Sequence, residues 1–497
     1  MQRKTSSFLL HSVSLSIPYV VDLILKFLVI RIIASRLGPE LLGTLGIFQS
    51  VILFPIFLQQ SLSFALFLQT SRKREQNNSS RTAFVVSVFL SIVLGLLIVV
   101  LSPFLISLFR IPPSFHEMAL NGFRLTAIVL LLTSISQVFL SLLQAHGRFP
   151  AAGAILLAGS LLNSLLDILL LRAGYGILAL LAVDVLTNFL FCVAGFYFCS
   201  PLLFQKSSVA ISKSATTELL HETKRQIIIR SAATILWELD PLIVSRFFGV
   251  TSMASYWIAR KLPYILKNLI WTGTTPAVSS VTNDSFADEL NLKKIFWLQV
   301  FLILPVAVFL WIYSQNIIDV WIGPAYPNAA TWMRILLFAV TMDVLPATFF
   351  YFFLAKGKST LTLQIPAYAA FVKFILSIVA CFINSVELLM FATAAGAFVF
   401  LTSMFWATIK ETKLSLSALI QPFVTSAFSC AIAIVPFRFM PAPGTLLAIG
   451  GYALLFGGIA YGINVVFLRQ FYPEIYSALL SNLSAFIRTK VSSQAVD

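Results

Sequence analysis

Residues 253–281 read MASYWIARKLPYILKNLIWTGTTPAVSSV. A run this long and this apolar is typical of a helix that crosses a lipid bilayer. Three cations nevertheless stand near its middle, Arg260, Lys261 and Lys267. A charge at that depth costs at least ~2.5–3.5 kcal/mol, so its default interpretation is functional. Arg260 and Lys267 are two turns apart on one helix face, and Pro263 removes a backbone donor between them. The pattern predicts that an anionic solute meets these cations inside the membrane.

The composition is that of a membrane protein with many spans. Hydrophobic residues make up 59% of the chain and charged residues only 11%, whereas a soluble domain carries about 25% charged residues. The net charge of +15 lies in short loops and within spans, without a basic domain, so no nucleic acid partner is expected. The four cysteines stand at irregular spacing in apolar runs, which predicts core packing and neither a disulfide framework nor a metal site.

The order of apolar segments and the placement of loop charges predict the topology. One alternating set of connectors carries twenty Lys and Arg residues and the other set five. This bias predicts that both termini are cytoplasmic, with an even number of spans. The first segment is too long for a signal-peptide core and is expected to remain as a span. The fourteen segments lie near 12–35, 41–68, 82–109, 119–143, 151–171, 176–199, 227–249, 253–280, 295–316, 330–354, 361–383, 387–409, 418–440 and 444–468.

Short motifs recur at one offset along the chain. Residues 34–38, ASRLG, return as 244–249, VSRFFG, and residues 145–148, AHGR, return as 355–358, AKGK. Arg124 and Arg334 occupy the same place in two spans, and the serine, glycine and arginine of these pairs are each 210 positions apart. Six spans separate the copies, so both halves have the same orientation. Parallel repeats place a substrate site near the midplane between the halves, which rock to expose it alternately.

The predicted fold is therefore an all-α integral membrane protein with 14 transmembrane helices and a central cavity between two lobes. Spans 1–6 form an N-lobe over residues 1–199, and residues 200–226 form a cytoplasmic linker. Spans 7–12 form a C-lobe over residues 227–409. Residues 410–497 hold spans 13–14 and a cytoplasmic tail.

Nine cations and six acids at membrane depth predict an excess of about three positive charges. Arg124 and Arg334 lie near span ends and could instead reach headgroups, although their repeat relationship favours the outward mouth of a path. Lys26 could be neutralised by Asp22, one turn earlier. The candidates for an anion path are Lys26, Arg124, Arg260, Lys261, Lys267, Arg334 and Lys373.

Four acids are candidates for coupling to H⁺ or Na⁺: Asp22, Glu238, Asp240 and Asp343. Glu238 and Asp240 stand close together, and Pro241 interrupts the backbone beside them. Two neighbouring buried carboxylates suit a proton or a sodium ion. The alternative is that Glu238 or Asp240 pairs with Arg260 or Lys26 across the cavity.

The sequence contains no catalytic constellation. It has no phosphate-binding loop, no Ser/His/Asp grouping and no soluble domain large enough to host one, so we expect neither enzymatic activity nor a cofactor. Energy for transport would come from an ion gradient, the membrane potential or consumption of the product.

The motifs around the first and seventh loops resemble a known family. Residues 31–45, RIIASRLGPELLGTL, resemble the first-loop signature of bacterial polysaccharide transporters. These are the Wzx-type flippases of lipid-linked oligosaccharides, such as O-antigen, in the multidrug/oligosaccharidyl-lipid/polysaccharide exporter superfamily. Asp240, residues 248–249 and residues 254–260, ASYWIAR, resemble the seventh and eighth spans of that family. The likeness covers the whole chain.

The resemblance implies a bacterial inner-membrane flippase with a cationic cavity. It would move an undecaprenyl-diphosphate-linked sugar from the cytoplasmic to the periplasmic leaflet while membrane lipid holds the polyprenyl tail. A polysaccharide polymerase and glycosyltransferases would be partners. Arg and Lys suit a diphosphate, and Trp257, Tyr264 and Trp271 could stack on sugars or simply pack. Flippases of lipid II or teichoic-type precursors, multidrug exporters of the same superfamily and a non-transporting assembly scaffold remain alternatives.

Overall fold

The computed structural model describes residues 2–72, 77–203, 213–281, 289–412, 414–473 and 476–477; most of these residues are helical and none of them lies in a strand. Part of the predicted linker, 204–212, and most of the predicted tail, 478–497, lie outside the described residues. The helices are α1 Gln2–Arg72, α2 Asn77–Leu108, α3 His116–Ala145, α4 Phe149–Arg172, α5 Ile177–Leu203, α6 Lys213–Trp237, α7 Leu239–Ile243, α8 Gly249–Val281, α9 Glu289–Ile312, α10 Ser314–Trp321, α11 Ala329–Val344, α12 Ala347–Ala355, α13 Ser359–Ile383, α14 Val386–Glu411, α15 Leu416–Ile434 and α16 Leu446–Phe471.

The chain is a multi-pass membrane protein. Within the described ranges, eleven helices are long and apolar enough to cross a membrane. The number is twelve if residues 24–53 and 55–67, which meet at a bend of 41°, form one further span. The predicted number of fourteen and the predicted lobe boundaries stay predictions.

Two glycines break the helical backbone at repeat-related places. Gly38 interrupts α1 with φ 74° and ψ 175°, and Gly249 precedes α8 with φ 86° and ψ 171°. Only glycine adopts this backbone conformation without strain. The two sites differ in spacing, because Gly38 follows Ser35 by three residues and Gly249 follows Ser245 by four. The π-helical turn Val244–Phe248 takes up the additional residue.

A second pair of turns is the same in both copies. Gly147 and Gly357 both have positive φ, 73° and 70°. Each glycine N–H donates to the carbonyl three residues back, at 3.0 and 3.2 Å. The next N–H, of Arg148 or Lys358, donates to the carbonyl five residues back, at 2.8 and 2.9 Å. These bonds satisfy the last carbonyls of α3 and α12 in the same way.

The turn after α4 and the turn after α13 also correspond at an offset of 210, although no sequence motif recurs there. Gly174 ends α4 with φ 89°, and Asn384 ends α13 with φ 58°. The following N–H groups, of Tyr175 and Ser385, each donate to a carbonyl five residues back, at 3.0 and 3.1 Å. Asparagine is one of the few residues that tolerate this left-handed conformation. The backbone therefore repeats at a position where the side chains differ.

The N-terminal half (α1–α5) meets the C-terminal half (α6–α14) along α1 and α8. A Cβ on Gly43 would lie 2.1 Å from the carbonyl oxygen of Val250, and one on Gly46 would lie 2.9 Å from the Met253 side chain and 3.1 Å from the Trp257 ring. Glycine is required at position 43 because the backbones of α1 and α8 touch there, whereas at Gly46 the close neighbours are side chains of α8. The halves are in tight contact on the side of the membrane where Gly38 and Gly249 lie.

The segment around α10 adds to the contact on this side. The Trp321 ring stacks on Phe27 of α1 with 4.3 Å between ring centroids. The Trp321 indole N–H donates to the Phe27 carbonyl at 2.5 Å, and the Tyr326 hydroxyl donates to the Ala34 carbonyl at 3.2 Å. The C-terminal half thus holds the first span of the N-terminal half at two backbone positions.

Candidate functional site

Glu238 stands at the break between α6 and α7 and pairs with Arg260 of α8. The Arg260 guanidinium donates to one carboxylate oxygen, and the Tyr264 hydroxyl donates to the other at 2.7 Å. The guanidinium also lies over the Tyr264 ring, 4.3 Å from its centroid. The predicted alternative in which Glu238 pairs with Arg260 is therefore confirmed. This pair is neutral as a unit and fixes the orientation of α8 against α6.

Lys261 and Lys267 rest on aromatic rings instead of carboxylates. The Lys261 Nζ lies 3.6 Å from the centroid of the Trp257 ring and 3.5 Å from the Gln49 side-chain oxygen. The Lys267 Nζ lies 4.1 Å from the centroid of the Trp237 ring. Neither lysine forms an ion pair with any residue in the described ranges. An ammonium group over an indole is stabilised by ~0.5–2 kcal/mol while its donors stay available, so both lysines can take an anion.

Lys26 of α1 contacts two side chains of α4. Its Nζ donates to the Asn163 side-chain oxygen at 2.5 Å and lies 3.6 Å from the Asp167 carboxylate. The Asn163 amide in turn donates to Asp184 of α5 at 2.9 Å. The expected pairing of Lys26 with Asp22 is replaced by this pair across helices. A surface-type i, i+4 pair contributes only a few tenths of a kcal/mol, whereas the buried Asp167 needs a counter-charge.

Lys373 of α13 is buried with Asp240 of α7. Its Nζ lies 2.7 Å from the carboxylate, and both side chains are sealed, at 0% and 1% exposure. Lys373 also donates to the Leu236 carbonyl, and the Thr393 hydroxyl donates to Asp240 at 2.6 Å. The sequence showed no acid near Lys373 because its partner comes from another helix. In this conformation the ammonium group is fully enclosed by protein.

Asp343 of α11 accepts hydrogen bonds from two indoles. The Trp237 N–H reaches one carboxylate oxygen at 3.1 Å, and the Trp271 N–H reaches the other at 3.0 Å. These tryptophans belong to α6 and α8, so one carboxylate joins three helices. Trp237 is also the ring beneath Lys267.

The repeat-related arginines lie apart from this group. Arg124 is exposed and donates to Asn121 at 3.1 Å. Arg334 donates to the Ser314 hydroxyl of α10 at 2.6 Å. In the part of the chain that the structure describes, neither of these hydrogen bonds involves a partner of the α8 cations. The structure thus brings five of the seven predicted cations together and leaves these two near the helix ends.

The five remaining cations form one continuous electrostatic group between α1 and α8. Lys261 lies close enough to Lys26, Asp22 and Asp184 to interact with them. Lys267 interacts with Asp343, Glu238, Arg260 and Lys373 in the same way. Lys261 therefore faces charges of the N-terminal half, and Lys267 faces charges of the C-terminal half.

The expected excess of positive charge is not found inside this group, because six acids, Asp22, Asp167, Asp184, Glu238, Asp240 and Asp343, lie among its five cations. Lys26, Arg260 and Lys373 are each paired with an acid, and Arg31 and Arg124 are exposed. Counting along the chain could not separate interior charges from those at helix ends. The available positive charge is concentrated in Lys261 and Lys267.

Sequence reasoning missed the neutral members of the site. Gln49, Asn163 and Thr393 hold Lys261, Lys26 and Asp240, and uncharged residues of this kind are common in apolar spans. A usable signal did exist for Asn163, because it stands 210 positions before Lys373.

Residues 32–331, more than half of the chain, match the family model described as polysaccharide biosynthesis protein. No curated protein sequence matches the chain. Among solved structures, the lipid II flippase MurJ in an inward closed conformation is similar with a TM-score of 0.73 and 13% identity, over 93% of this chain and 99% of that chain.

Two further structures are similar to this chain at 17% identity, over 80% of this chain and 95% of theirs. One is an outward-facing multidrug resistance MATE family transporter of the MOP superfamily, with a TM-score of 0.60. The other is a MOP superfamily transporter from Pyrococcus furiosus, with a TM-score of 0.61. At these identities the likeness concerns the fold, which is that of MurJ-like and MATE-like transporters.

Proposed function

Because the chain belongs to the polysaccharide biosynthesis protein family, we propose that it is a flippase for an undecaprenyl-diphosphate-linked oligosaccharide. The cargo would pass from the cytoplasmic to the periplasmic leaflet of a bacterial inner membrane, with both termini of the protein in the cytoplasm. The observation that carries this proposal is the pair Lys261 and Lys267, two cations on one span that lie on aromatic rings without a carboxylate partner.

The chemistry of the cargo fits this pair. A diphosphate offers oxygens to which ammonium groups donate strong, charge-assisted hydrogen bonds. Lys261 and Lys267 are six residues apart, about 9 Å along a helix axis and about 120° around it, so a diphosphate that passes from one lysine to the other moves both along and around α8. The polyprenyl tail remains in lipid, and only the headgroup needs a polar route.

The contact between the halves supports alternating access. Gly43 and Gly46 touch Val250 and Met253 on one side of the membrane. If the loops rich in Lys and Arg are cytoplasmic, this contact closes the periplasmic side. Movement of the two halves would separate α1 from α8 there and expose the lysines to the other leaflet.

Coupling to H⁺ or Na⁺ remains part of the proposal. Glu238 and Asp240 are committed to Arg260 and Lys373. Asp22 is half-buried and forms no ion pair within the described ranges, which makes it the coupling candidate with a carboxylate open to an ion. Collapse of the gradient in vesicles is expected to slow flipping, and Asp22→Asn is expected to reproduce that loss.

Transport by the full chain in proteoliposomes tests the proposal. The probe is a fluorescent undecaprenyl-diphosphate-linked N-acetylglucosamine, and the readout is its accessibility to a quencher that cannot cross the membrane. We expect Lys261→Ala and Lys267→Ala each to slow the native rate at least tenfold, because each removes a charge-assisted contact to the diphosphate.

The matched control is Lys358→Ala, which removes a lysine from the turn after α12. It should flip the probe at the native rate. Native rates for both Lys261→Ala and Lys267→Ala would show that the anion route is assigned to the wrong residues. Liposomes with native protein that behave like empty liposomes would refute the flippase proposal, and the scaffold interpretation would replace it.

A second candidate function is export of cationic drugs. Asp22 and Asp184 favour it, because both acids lie near the interface of the halves without an ion-pair partner in the described structure. Efflux of ethidium from loaded proteoliposomes separates the two functions. A drug exporter would move ethidium and lose that activity in Asp184→Asn, whereas the flippase would leave ethidium in place.

A further inference from the structure

The Asp343 carboxylate joins two tryptophans that have different surroundings. Trp237 is buried, and its ring lies beneath the Lys267 ammonium group at 4.1 Å. Trp271 is half-buried, and its ring contacts Phe350 and Tyr351 edge to face, with 5.6 Å between centroids in each case. Both indole N–H groups point to the same carboxylate, one to each oxygen. The position of the cation and the position of the half-buried ring are thus set by one side chain.

We propose that Asp343 is a positioning residue for a sugar subsite. Lys267 takes a phosphate oxygen of the cargo, and the half-buried Trp271 ring stacks on the apolar face of the sugar next to the diphosphate. Asp343 fixes the spacing between these two contacts by holding Trp237 under Lys267 and Trp271 beside it. This inference rests on the proposed flippase function and adds a recognition site for the first sugar.

The hydrogen bonds argue against an exchangeable ion at Asp343. Each carboxylate oxygen already accepts an indole N–H at 3.0 or 3.1 Å. Each oxygen keeps a second lone pair, but a proton or a sodium ion there would draw charge from the carboxylate and weaken the hydrogen bonds from the two buried indoles. The sequence-based expectation that Asp343 couples an ion therefore predicts a different result for Asp343→Asn than the sugar subsite does.

Binding of two lipids to the detergent-solubilised full chain tests the inference. The probes are undecaprenyl diphosphate and undecaprenyl-diphosphate-linked N-acetylglucosamine, which differ only in the sugar. We expect Asp343→Asn to raise the half-saturating concentration of the sugar-bearing probe about fivefold and that of the sugar-free probe less than twofold, because the amide keeps one acceptor and loses the other. Trp271→Leu removes the ring and should raise the first value about tenfold and leave the second unchanged.

Two further variants calibrate the result. Trp271→Phe keeps an aromatic ring without the N–H, so a smaller loss of about two- to threefold is expected for the sugar-bearing probe. Trp406→Phe changes an exposed tryptophan of α14 and should alter neither value. If Asp343→Asn does not yield folded protein, the Trp271 variants decide, and they must show the same selective loss.

The remaining outcomes distinguish a failure of the sugar subsite from a failure of the proposed flippase function. Native protein that binds neither probe would refute the flippase function and the subsite together. Native protein that binds both, with variants that weaken both equally or not at all, would refute the subsite alone. The subsite would also be refuted if Asp343→Asn abolished the dependence of transport on H⁺ or Na⁺ while the affinities for both probes stayed native. Asp343 would then bind the coupling ion.

Discussion

The two halves of the protein each contain a lysine–aspartate pair, and the two pairs are built from opposite helices. In the N-terminal half, Lys26 comes from the first span and contacts Asn163 and Asp167, which are one helical turn apart on α4. The lysine thus stands on the first helix of the half and its acid on a later one.

In the C-terminal half the lysine stands on the later helix. Lys373 of α13 contacts Leu236 and Asp240, again one helical turn apart, on α6 and α7. Lys26 and Leu236 are 210 positions apart, and so are Asn163 and Lys373. The same two places in the repeat are therefore in contact in both halves, but the lysine and its acceptors have changed sides.

The pairs differ most in their access to solvent. Lys26 and Asp167 are 31% and 7% exposed, whereas Lys373 and Asp240 are 0% and 1% exposed. Removing one partner of the sealed pair leaves an uncompensated charge in protein, whereas the part-exposed Lys26 can exchange its contacts with water although its partner Asp167 stays buried. The comparison indicates that the C-terminal pair holds helices together and that the N-terminal pair is able to change partners.

The largest effect is expected from Lys373→Met. This change leaves Asp240 buried without a cation and should lower the stability of the protein by about 3–5 kcal/mol. The measurement is the unfolding midpoint of detergent-solubilised protein. Adding Asp240→Asn to Lys373→Met should recover a large part of the lost stability, because neither residue of this pair then carries a charge.

An unchanged midpoint for Lys373→Met would contradict the comparison, and so would a double variant less stable than the single one. Either result would mean that the pair is not a structural link between α7 and α13. The double variant is the necessary control because it separates a lost charge from a lost side-chain shape.

A smaller effect on stability is expected from Lys26→Met. The change leaves Asp167 buried without its cation, but this pair is less enclosed than Lys373–Asp240, so the stability should fall by about 1–3 kcal/mol, less than for Lys373→Met. Flipping should slow severalfold, because Lys26 lies beside Lys261 in the electrostatic group between the halves. Lys26→Arg keeps the charge and should restore part of the rate. A loss of stability equal to that of Lys373→Met would show that the two pairs have the same role.

Much of the fold could be predicted from the sequence, because it depends on local patterns. Apolar segment length placed the helices, and the recurring SR and G motifs located the turns at Gly38, Gly147, Gly249 and Gly357. The pairing of Glu238 with Arg260 was foreseen as one alternative, since both charges stand at the same depth on consecutive spans.

The exchange of partners between the halves could not be predicted. Shifting Lys26 by 210 positions leads to an apolar residue, Leu236, whose contribution is a backbone carbonyl. Shifting Lys373 back leads to a neutral amide, Asn163. When only the charged residues of the two halves are compared, Lys26 and Lys373 therefore look unrelated. What the halves have in common is the contact between two helices, and the spacing of residues along the sequence does not show that contact.

The smallest effect is expected at an ion pair outside the interior, Lys358 with Glu411. These side chains are 38% and 29% exposed and join the turn after α12 to the end of α14. An exposed pair of this kind contributes ~0–1 kcal/mol, and salt screens it. Lys358→Ala should therefore shift the unfolding midpoint less than Lys26→Met, and the shift should vanish at high ionic strength. A loss comparable to that of Lys373→Met would mean that exposure does not rank the three pairs, and the distinction between a sealed and an open pair would lose its physical basis.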